Sequence, residues 1–296
     1  IKRVNDKTYR SQNRGGRGVL GQSVREEDEI AFFLRCNTLG TILFFSDKGK
    51  VYSERVYQIP DESRQGRGIP LVNIISVDPD EMITAVLPVP DFRKAEFCTM
   101  ATRQGKVKRV ALSEFESVRP SGLAAIKIEE GDRLGWVCLT TGKNEIILVT
   151  KQGNALRYDE NEIRAMGRTA VGVTGIRFKG DDCLAGMEVL EEGGYLLVMS
   201  EKGYGKRTPL SEYSAKSRGG LGIASVTKDA YKKIGYISAA RVVQEKDEVT
   251  IISSGGIVLR LRVVDISVQG RATKGVSLMK LEKDDTIAAV ARITEV

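Results

Sequence analysis

Hydrophobic and polar positions recur along the chain in three kinds of segment. The first kind is an apolar run, a short turn with glycine, and an alternating run that carries Lys or Arg. Two β-rich runs joined by a short glycine-containing link are typical of a β-hairpin. The hairpin segments are 42–56, 97–113, 146–160, 195–211 and 249–265, with turn glycines Gly49, Gly105, Gly153, Gly203 and Gly256, spaced 56, 48, 50 and 53 residues apart.

Two other kinds of segment follow each hairpin. A Gly-rich loop that leads into an alternating strand occurs at 65–74, 120–128, 166–178, 217–226 and 269–281. The loop at 12–18, followed by Val19 and Leu20, is a sixth copy. An acidic turn followed by a strand occurs at 27–36, 80–89, 131–139, 180–190 and 283–293. Residues 231–242 fill the same place without the acid.

Four short antiparallel strands in each of about six repeats predict an all-β, propeller-like ring formed by a single domain, residues 1–296. A closed ring requires the N-terminal segment, including 4–10, to supply outer strands beside the last hairpin. Amphipathic stretches of the length that an α/β fold needs do not occur. The first residue, Ile1, is not an initiator Met, and we expect a fragment of a larger protein.

The chemistry-bearing residues argue against an enzyme and against a metal site. Histidine is absent, which removes the commonest general base and metal ligand. The recurrent acidic pairs, such as Asp181 and Asp182, lie in turns and are better explained as solvated loop ends than as metal ligands. We expect Cys36, Cys98, Cys138 and Cys183, which form no CxxC pair, to be buried free thiols.

Basic residues are concentrated at the hairpins. The ten residues from three before to six after each turn glycine hold 14 Lys and Arg but 4 Asp and Glu over the five hairpins. The whole chain has a net charge of +7 and a pI of about 9.1. Solvent exposure of the turns explains why they are charged, but it does not explain why the charge is mainly positive. A ring would therefore carry a basic stripe, which favours phosphate contacts with little sequence specificity.

The loop at 12–18 reads Gln-Asn-Arg-Gly-Gly-Arg-Gly. Its glycines permit a tight loop with exposed backbone N–H groups, and its arginines offer planar forks that fit phosphate. It contains no acid, histidine or hydroxyl group, so it suits holding a phosphate backbone better than breaking a bond. A flexible hinge is the alternative for these residues taken alone.

This heptapeptide resembles the signature motif of the C-terminal domain of the DNA gyrase A subunit, which reads Gln, basic, Arg, Gly, Gly, basic, Gly. The repeats extend the resemblance over the whole chain. Asn13 departs from the motif, where Lys or Arg is usual. The segment 217–222, Ser-Arg-Gly-Gly-Leu-Gly, resembles a degenerate copy.

The resemblance implies a six-bladed β-pinwheel whose blades exchange strands. It implies that duplex DNA wraps right-handed around the basic edge, so that gyrase introduces negative supercoils. The implied partners are duplex DNA, the remainder of the gyrase A subunit, and the gyrase B subunit in an A2B2 enzyme of the bacterial cytoplasm, associated with the nucleoid and without a membrane. The catalytic tyrosine, the Mg²⁺ site and the ATP site of that enzyme belong to other parts, so we expect no catalytic residue, metal or cofactor in this domain.

The candidate DNA-binding residues are the heptapeptide and the basic residues of the hairpins. Strand alternation predicts that Lys108 and Arg109 do not both face DNA. The full set is Gln12, Asn13, Arg14, Gly15, Gly16, Arg17, Gly18, Lys48, Lys50, Arg103, Lys106, Lys108, Arg109, Lys151, Arg157, Lys202, Lys206, Arg207, Arg218, Arg260 and Arg262.

Three alternatives remain open from the sequence. The C-terminal domain of the topoisomerase IV C subunit is related, but its heptapeptide is degraded or missing, whereas the copy here is nearly intact. A propeller-like scaffold for protein interactions would not need hairpins of one charge sign. A propeller enzyme would need polar groups that converge on a central channel, and the chain offers neither histidine nor a recurrent paired-carboxylate motif.

Overall fold

A computed structural model of the chain describes residues 1–5, 19–20, 32, 34–63, 66–93 and 95–293. The strands of this part are β1 (Val19–Leu20), β2 (Thr41–Ser46), β3 (Lys50–Arg55), β4 (Ile83–Val89), β5 (Phe97–Thr102), β6 (Lys106–Ala111), β7 (Leu123–Ala124), β8 (Leu134–Thr140), β9 (Glu145–Thr150), β10 (Asn154–Asp159), β11 (Val173–Thr174), β12 (Leu184–Val189), β13 (Tyr195–Ser200), β14 (Tyr204–Pro209), β15 (Ile223–Ala224), β16 (Ile237–Val243), β17 (Glu248–Ser253), β18 (Ile257–Arg262), β19 (Val276–Ser277) and β20 (Ile287–Ile293).

Helical structure in the described residues is confined to short turns. The α-helix α1 (Tyr231–Ile234) has four residues. Single 3-10 turns occur at Val56–Gln58, Leu71–Asn73, Leu112–Phe115, Glu160–Glu162, Leu210–Glu212 and Val263–Asp265. All of these except Leu71–Asn73 directly follow the second strand of a hairpin. The described residues therefore confirm the prediction of an all-β fold.

The strands form five four-stranded antiparallel sheets within the described part of the chain. In strand order these sheets are β4-β2-β3-β7, β8-β5-β6-β11, β12-β9-β10-β15, β16-β13-β14-β19 and β20-β17-β18-β1.

Each sheet combines strands from two repeats. A hairpin of two six-residue strands occupies the middle, and a strand of six or seven residues from the same repeat lies along the first hairpin strand. Neighbouring sheets contact one another through these third strands, which we call the inner strands β4, β8, β12, β16 and β20. A two-residue strand from the following repeat lies along the second hairpin strand, as β7 does along β3. We call these the exchanged strands.

The ring closes through the N-terminal repeat. Val19 pairs with Val258 and Leu20 with Ile257, so β1 is the exchanged strand of the last sheet. This confirms that the N-terminal segment supplies an outer strand beside the last hairpin, although the strand is 19–20. Of the stretch predicted for this place, 4–10, the structure describes Val4 and Asn5 alone. Residue Ile1 exchanges backbone hydrogen bonds with Ile69, while 6–10 lies outside the described residues.

A sixth repeat is represented in part. Arg3 forms a parallel bridge with Asp61, as Arg109, Arg157 and Arg207 do with residues of the following repeats. Residues 1–5 thus take the place of a second hairpin strand. The described residues therefore show five complete sheets and part of a sixth unit, where the sequence predicted six blades.

The core lies between consecutive sheets. Phe45 of the first sheet and Phe115, which follows the second hairpin, pack edge to face at 6.1 Å within one apolar cluster. All six residues of β2 are buried, because neighbouring structure covers both of its faces. Burial on both faces explains why the first hairpin strands are continuous apolar runs rather than alternating ones. Removal of this apolar surface from water is the main driving force for assembly of the ring.

Glycine is required at the hairpin turns. The five turn glycines have φ between 77° and 87°, a region that L side chains rarely adopt. A Cβ at Gly49 would lie 2.2 Å from the Ile126 carbonyl oxygen, and one at Gly203 would lie 2.4 Å from that of Met279. The turn carbonyl of Gly49 also accepts a hydrogen bond from the Ala125 N–H at 2.8 Å. The glycine turns therefore let the next repeat dock on the hairpin.

Candidate nucleic-acid interface

The hairpin turns lie at one end of the sheets and carry cations that reach solvent. Six cations lie within two residues of a turn glycine. Three of these are exposed, namely Lys48, Arg103 and Lys202, and three are partly exposed, namely Lys50, Lys106 and Lys151. Arg262 is also exposed, but it lies at the far end of β18, where its Nε donates to Asp265 Oδ2 at 2.9 Å.

The lysines of the first two turns are paired with carboxylates. Lys48 pairs with Asp80, and Lys50 pairs with Asp78 at 2.5 Å and with Glu81 at 2.9 Å. Hydrogen bonds from Lys50 to Asp78 and Glu81 raise the pKa of this lysine, so it is held in its charged form. Lys106 of the second turn pairs with Glu129 at 3.4 Å.

Three turn cations are differently placed. Arg103, Lys151 and Lys202 form no ion pair within the described residues. Their charge is therefore not cancelled by a nearby carboxylate of that part of the chain. Each lies one or two residues before a turn glycine, in the second, third and fourth hairpins.

Lys108 and Lys206 are buried instead of facing solvent. The Lys108 Nζ donates to the carbonyl oxygens of Ala125 at 2.9 Å and Ala170 at 3.0 Å, and also to that of Arg168. The Lys206 Nζ donates to the carbonyl oxygens of Gly270 at 2.6 Å and Arg271 at 2.5 Å. Burial lowers the pKa of each lysine to about 8. Both ammonium groups hold Gly-rich loops in place from the inside.

The arginine four residues after the turn glycine joins neighbouring repeats. Arg109 donates to Glu160 Oε2 and to Asn161 Oδ1, both at 3.1 Å, and stacks over the Phe97 ring. Arg207 donates from Nε to the Ile266 carbonyl at 2.8 Å. Arg157 donates to the Leu210 carbonyl at 3.1 Å and pairs with Glu145. In each case a group in or beside the 3-10 turn of the next repeat accepts a hydrogen bond.

These contacts correct the predicted set of DNA-binding residues. Alternation predicted that Lys108 and Arg109 do not both face DNA; neither faces outward, because the next repeat covers both faces of β6. Arg260 is mostly buried and pairs with Glu248 across the last hairpin. The residues that we remove as direct phosphate contacts are Lys108, Arg109, Arg157, Lys206, Arg207 and Arg260.

Arg218 belongs to a series of arginines in the Gly-rich loops. Its backbone N–H donates to Glu162 Oε2 at 2.7 Å, and its Nη1 donates to the Thr174 carbonyl at 2.7 Å. Arg271 makes the corresponding contacts with Glu212 and Ala224, at 3.1 and 3.0 Å. Each loop is thus fastened to the repeat before it.

The spacing of these loop arginines was a missed sequence signal. Arg168, Arg218 and Arg271 each stand four residues before the glycine that precedes an exchanged strand. Arg14 and Gly18 have the same spacing in the heptapeptide. The heptapeptide, Gln12 to Gly18, lies outside the described residues.

A further set of cations, also missed, follows the exchanged strands. Lys127, Arg177, Lys228 and Lys280 are exposed where the chain leaves β7, β11, β15 and β19. The Arg177 N–H donates to the Gly220 carbonyl at 2.9 Å, which places it against the next Gly-rich loop. Together with the turn cations they form what we call the basic edge: Arg103, Lys127, Lys151, Arg177, Lys202, Lys228 and Lys280.

A sequence model described as "DNA gyrase C-terminal domain, beta-propeller" matches residues 1–37, 40–90, 97–134, 144–191, 194–244 and 247–294. The chain belongs to this family. The six matched segments follow the six repeats. The DNA gyrase A subunit of Staphylococcus epidermidis is 40% identical over 298 residues, which cover 100% of this chain and 33% of the relative. The chain thus spans about a third of the length of the curated relatives it matches.

Solved structures agree with this assignment. A structure titled "Structure of DNA gyrase A C-terminal domain" superposes with a TM-score of 0.89 at 27% identity, covering 99% of this chain and 96% of that one. The C-terminal domain of DNA topoisomerase IV superposes with a TM-score of 0.77 at 26% identity, covering 98% of this chain and 89% of that one. The fold is therefore the propeller-like ring of the gyrase C-terminal domain family.

The acidic turns of this gyrase-family domain have a structural role. Asp132 and Asp182 accept the N–H groups of Gln104 and Gln152 in the hairpin turns. No group of three or more Cys, Asp or Glu side chains that could hold a metal ion occurs among the described residues. In the part of the chain with described structure, no helix is both long and apolar enough to cross a membrane.

The four cysteines are free thiols, as predicted, but they are not equally buried. Cys98 is fully buried, Cys138 and Cys183 are half-buried, and Cys36 is exposed. Burial raises the pKa of the Cys98 and Cys138 thiols, so both stay protonated and behave as small apolar side chains.

Proposed function

We propose that this domain binds duplex DNA along the basic edge and wraps it around the ring in a right-handed sense. The observation that carries the proposal is the recurrence of exposed cations at equivalent positions of consecutive repeats. A ring places such positions on a curve, and each cation can neutralise one phosphate and release a counterion. The contacts lie outside any element shaped to enter a groove, so sequence preference is weak.

Wrapping requires that many contacts offset the bending of the duplex. Bending a site of 20–30 base pairs by 40–90° costs on the order of 1–6 kcal/mol. The basic edge supplies seven cations, and the arginines of the Gly-rich loops add to them. Each phosphate contact is weak, so the number of contacts is what offsets the cost of bending. The heptapeptide at 12–18 directly precedes β1, the exchanged strand of the last sheet, and we assign its arginines to phosphate contact where the ring closes.

The partners are the remainder of the gyrase A subunit, together with the gyrase B subunit, in an A2B2 enzyme of the bacterial cytoplasm. In this proposal the wrapped segment is delivered to the cleavage core so that strand passage introduces negative supercoils. DNA cleavage, ATP and Mg²⁺ belong to the other parts of the enzyme, and this domain contributes no catalytic residue. The family assignment and the 40% identity to a gyrase A subunit support this proposal.

A topoisomerase IV-type domain is the second candidate, because the C-terminal domain of that enzyme also superposes well. Such a domain is expected to bind or bend DNA without handed wrapping. The nearly intact heptapeptide favours the gyrase assignment.

The salt dependence of duplex binding tests the basic edge. The triple variant Arg103→Gln, Lys151→Gln, Lys202→Gln removes the three turn cations that form no ion pair within the described residues. We expect weaker binding to every sequence, and a slope of log K against log salt that is shallower by up to about 2.7, or 0.9 for each phosphate. Binding is measured by fluorescence anisotropy on a labelled duplex at several salt concentrations.

A matched triple variant is the control. Arg93, Lys143 and Lys246 are exposed in turns at the opposite end of the sheets, so Arg93→Gln, Lys143→Gln, Lys246→Gln makes the same change of net charge. This control keeps the wild-type slope if DNA lies on the basic edge. Equal losses in the two variants would mean general attraction to a basic protein, and the proposal would fail.

A further inference from the structure

The connection from the exchanged strand to the inner strand is exceptional in the fourth sheet. In the first, second, third and fifth sheets the connection that leads into the inner strand carries at least two carboxylates, whereas residues 227–236 carry Asp229 and three lysines. These lysines, Lys228, Lys232 and Lys233, are all exposed. We call residues 227–236 the knuckle.

The knuckle is built on a pair of stacked tyrosines. The rings of Tyr231 and Tyr236 lie 5.2 Å apart with an angle of 6° between their planes. Tyr236 is 40% exposed. The helix α1 begins at Tyr231 and ends two residues before Tyr236, and it turns Lys232 and Lys233 to solvent.

Backbone hydrogen bonds fix the knuckle to the neighbouring hairpin turns. The Glu201 N–H donates to the Tyr236 carbonyl at 2.9 Å, and the Tyr236 N–H donates to Glu201 Oε2 at 3.0 Å. The Lys202 N–H donates to the Ile234 carbonyl at 3.2 Å, and the Ile237 N–H donates to the Lys151 carbonyl at 2.8 Å. The knuckle therefore lies between two turns of the basic edge.

Local charge makes this region suited to phosphate. The connections of the first and second sheets neutralise their hairpin lysines, as Asp80 does for Lys48 and Glu129 for Lys106. The knuckle does the reverse, since it adds lysines beside Lys151 and Lys202. Its one carboxylate, Asp229, lies 3.6 Å from Lys232 in an exposed pair that DNA phosphate can replace.

We propose that the knuckle is an additional phosphate-binding site beside the basic edge, where Lys232 and Lys233 hold the backbone of duplex DNA as it passes between the third and fourth hairpin turns. This inference rests on the proposed function, because it assigns the same partner to two lysines outside the basic edge. Continuity with Lys151, Lys202 and Lys228 favours DNA over an acidic protein surface. The fixed backbone of the knuckle limits the conformational freedom that binding must remove.

The double variant Lys232→Gln, Lys233→Gln tests the knuckle in the 296-residue chain. Both side chains are exposed, so the fold is retained. With a labelled duplex long enough to surround the ring, we expect weaker binding and a slope of log K against log salt shallower by up to about 1.8.

The matched control is Lys143→Gln, Lys246→Gln, which removes the same charge from the opposite end of the sheets. If the wild type binds the duplex and the knuckle variant has the same salt slope as the control, the knuckle is not a phosphate-binding site. The proposed function is not affected by that result. Failure of the wild type to bind any duplex would instead overturn the proposed function. A knuckle variant that binds DNA like the control but loses binding to an acidic protein surface also overturns the site.

Discussion

A lysine or arginine of a hairpin has a role set by its distance from the turn glycine. Lys202, one residue before the glycine, is exposed, whereas Lys206, three residues after it, is fully buried on carbonyl oxygens. The same comparison holds for Arg103 and Lys108 in the second hairpin. Buried ammonium groups persist because carbonyl oxygens replace the lost water. Residue type alone therefore says little about which cations reach solvent.

Replacement of Lys108 by methionine tests its role inside the ring. The change keeps the length of the side chain but leaves the carbonyl oxygens of Ala125 and Arg168 without this donor, while that of Ala170 keeps the Lys127 N–H. We expect Lys108→Met to lower the free energy of unfolding by about 2–3 kcal/mol. The neighbouring exposed Lys127 supplies the control, since Lys127→Met has no buried acceptor to lose. Urea denaturation followed by circular dichroism measures both, and equal values would contradict the structural role.

The pH dependence of wild type and Lys108→Met has a defined sign. Burial lowers the pKa of Lys108 to about 8 in the folded chain, from an ordinary value of 10.5. Between these pH values the unfolded state binds more protons, so this lysine makes the wild type more stable as pH rises. The stability difference between wild type and variant should therefore be smallest at or below about pH 7 and widen toward about pH 10. A difference that narrows over this range contradicts the burial.

At the scale of elements, the sheet built on each hairpin is completed by a strand from the following repeat. The exchanged strand supplies the outer edge of the preceding sheet, and the arginine of the preceding hairpin reaches the 3-10 turn of the next repeat. The Gly-rich loops are held in two ways, from inside by a lysine such as Lys108 and from the preceding repeat by a carboxylate such as Glu162. Elements that present cations to solvent are thus positioned by contacts between repeats rather than within one.

Arg109 provides the test of these contacts. It forms a buried ion pair with Glu160, whose other carboxylate oxygen accepts the Asn144 N–H at 2.8 Å. Arg109→Leu leaves this carboxylate buried without its cation, and we expect a loss of about 3–5 kcal/mol in the free energy of unfolding. Arg103→Leu, in the exposed turn of the same hairpin, should stay within about 0.5 kcal/mol of the wild type. Denaturation of the two variants measures the difference, and a small effect of Arg109→Leu would show that the repeats do not depend on this pair.

The elements were predictable from the sequence, but their partners were not. Glycine spacing and apolar runs located all five hairpins, because a tight turn and a strand buried on both faces leave strong local patterns. Strand exchange has no local signature, since β7 looks the same whichever hairpin it joins. For the same reason, burial of Lys108 and Arg109 by the following repeat could not be inferred from alternation in β6. The series Arg168, Arg218 and Arg271 was visible as a spacing and was missed.

At the scale of the whole molecule, the ring places equivalent residues of successive repeats along a curved surface. Pairing of Val19 with Val258 joins the first repeat to the last. Lysines of the first two turns are paired with carboxylates, whereas Arg103, Lys151 and Lys202 form no ion pair within the described residues and the knuckle adds further lysines, so the charge is uneven around the ring. The path of bound DNA is therefore expected to favour the second, third and fourth sheets.

Handed wrapping is the central claim, and the most direct measurement is the linking number of a nicked plasmid that is religated with the domain bound. The account predicts a shift toward positive writhe that grows with protein concentration and disappears as salt releases the phosphate contacts. The triple variant Arg103→Gln, Lys151→Gln, Lys202→Gln should reduce the shift more than its matched control. Tight binding with no change in linking number would contradict right-handed wrapping and would favour a topoisomerase IV-type domain.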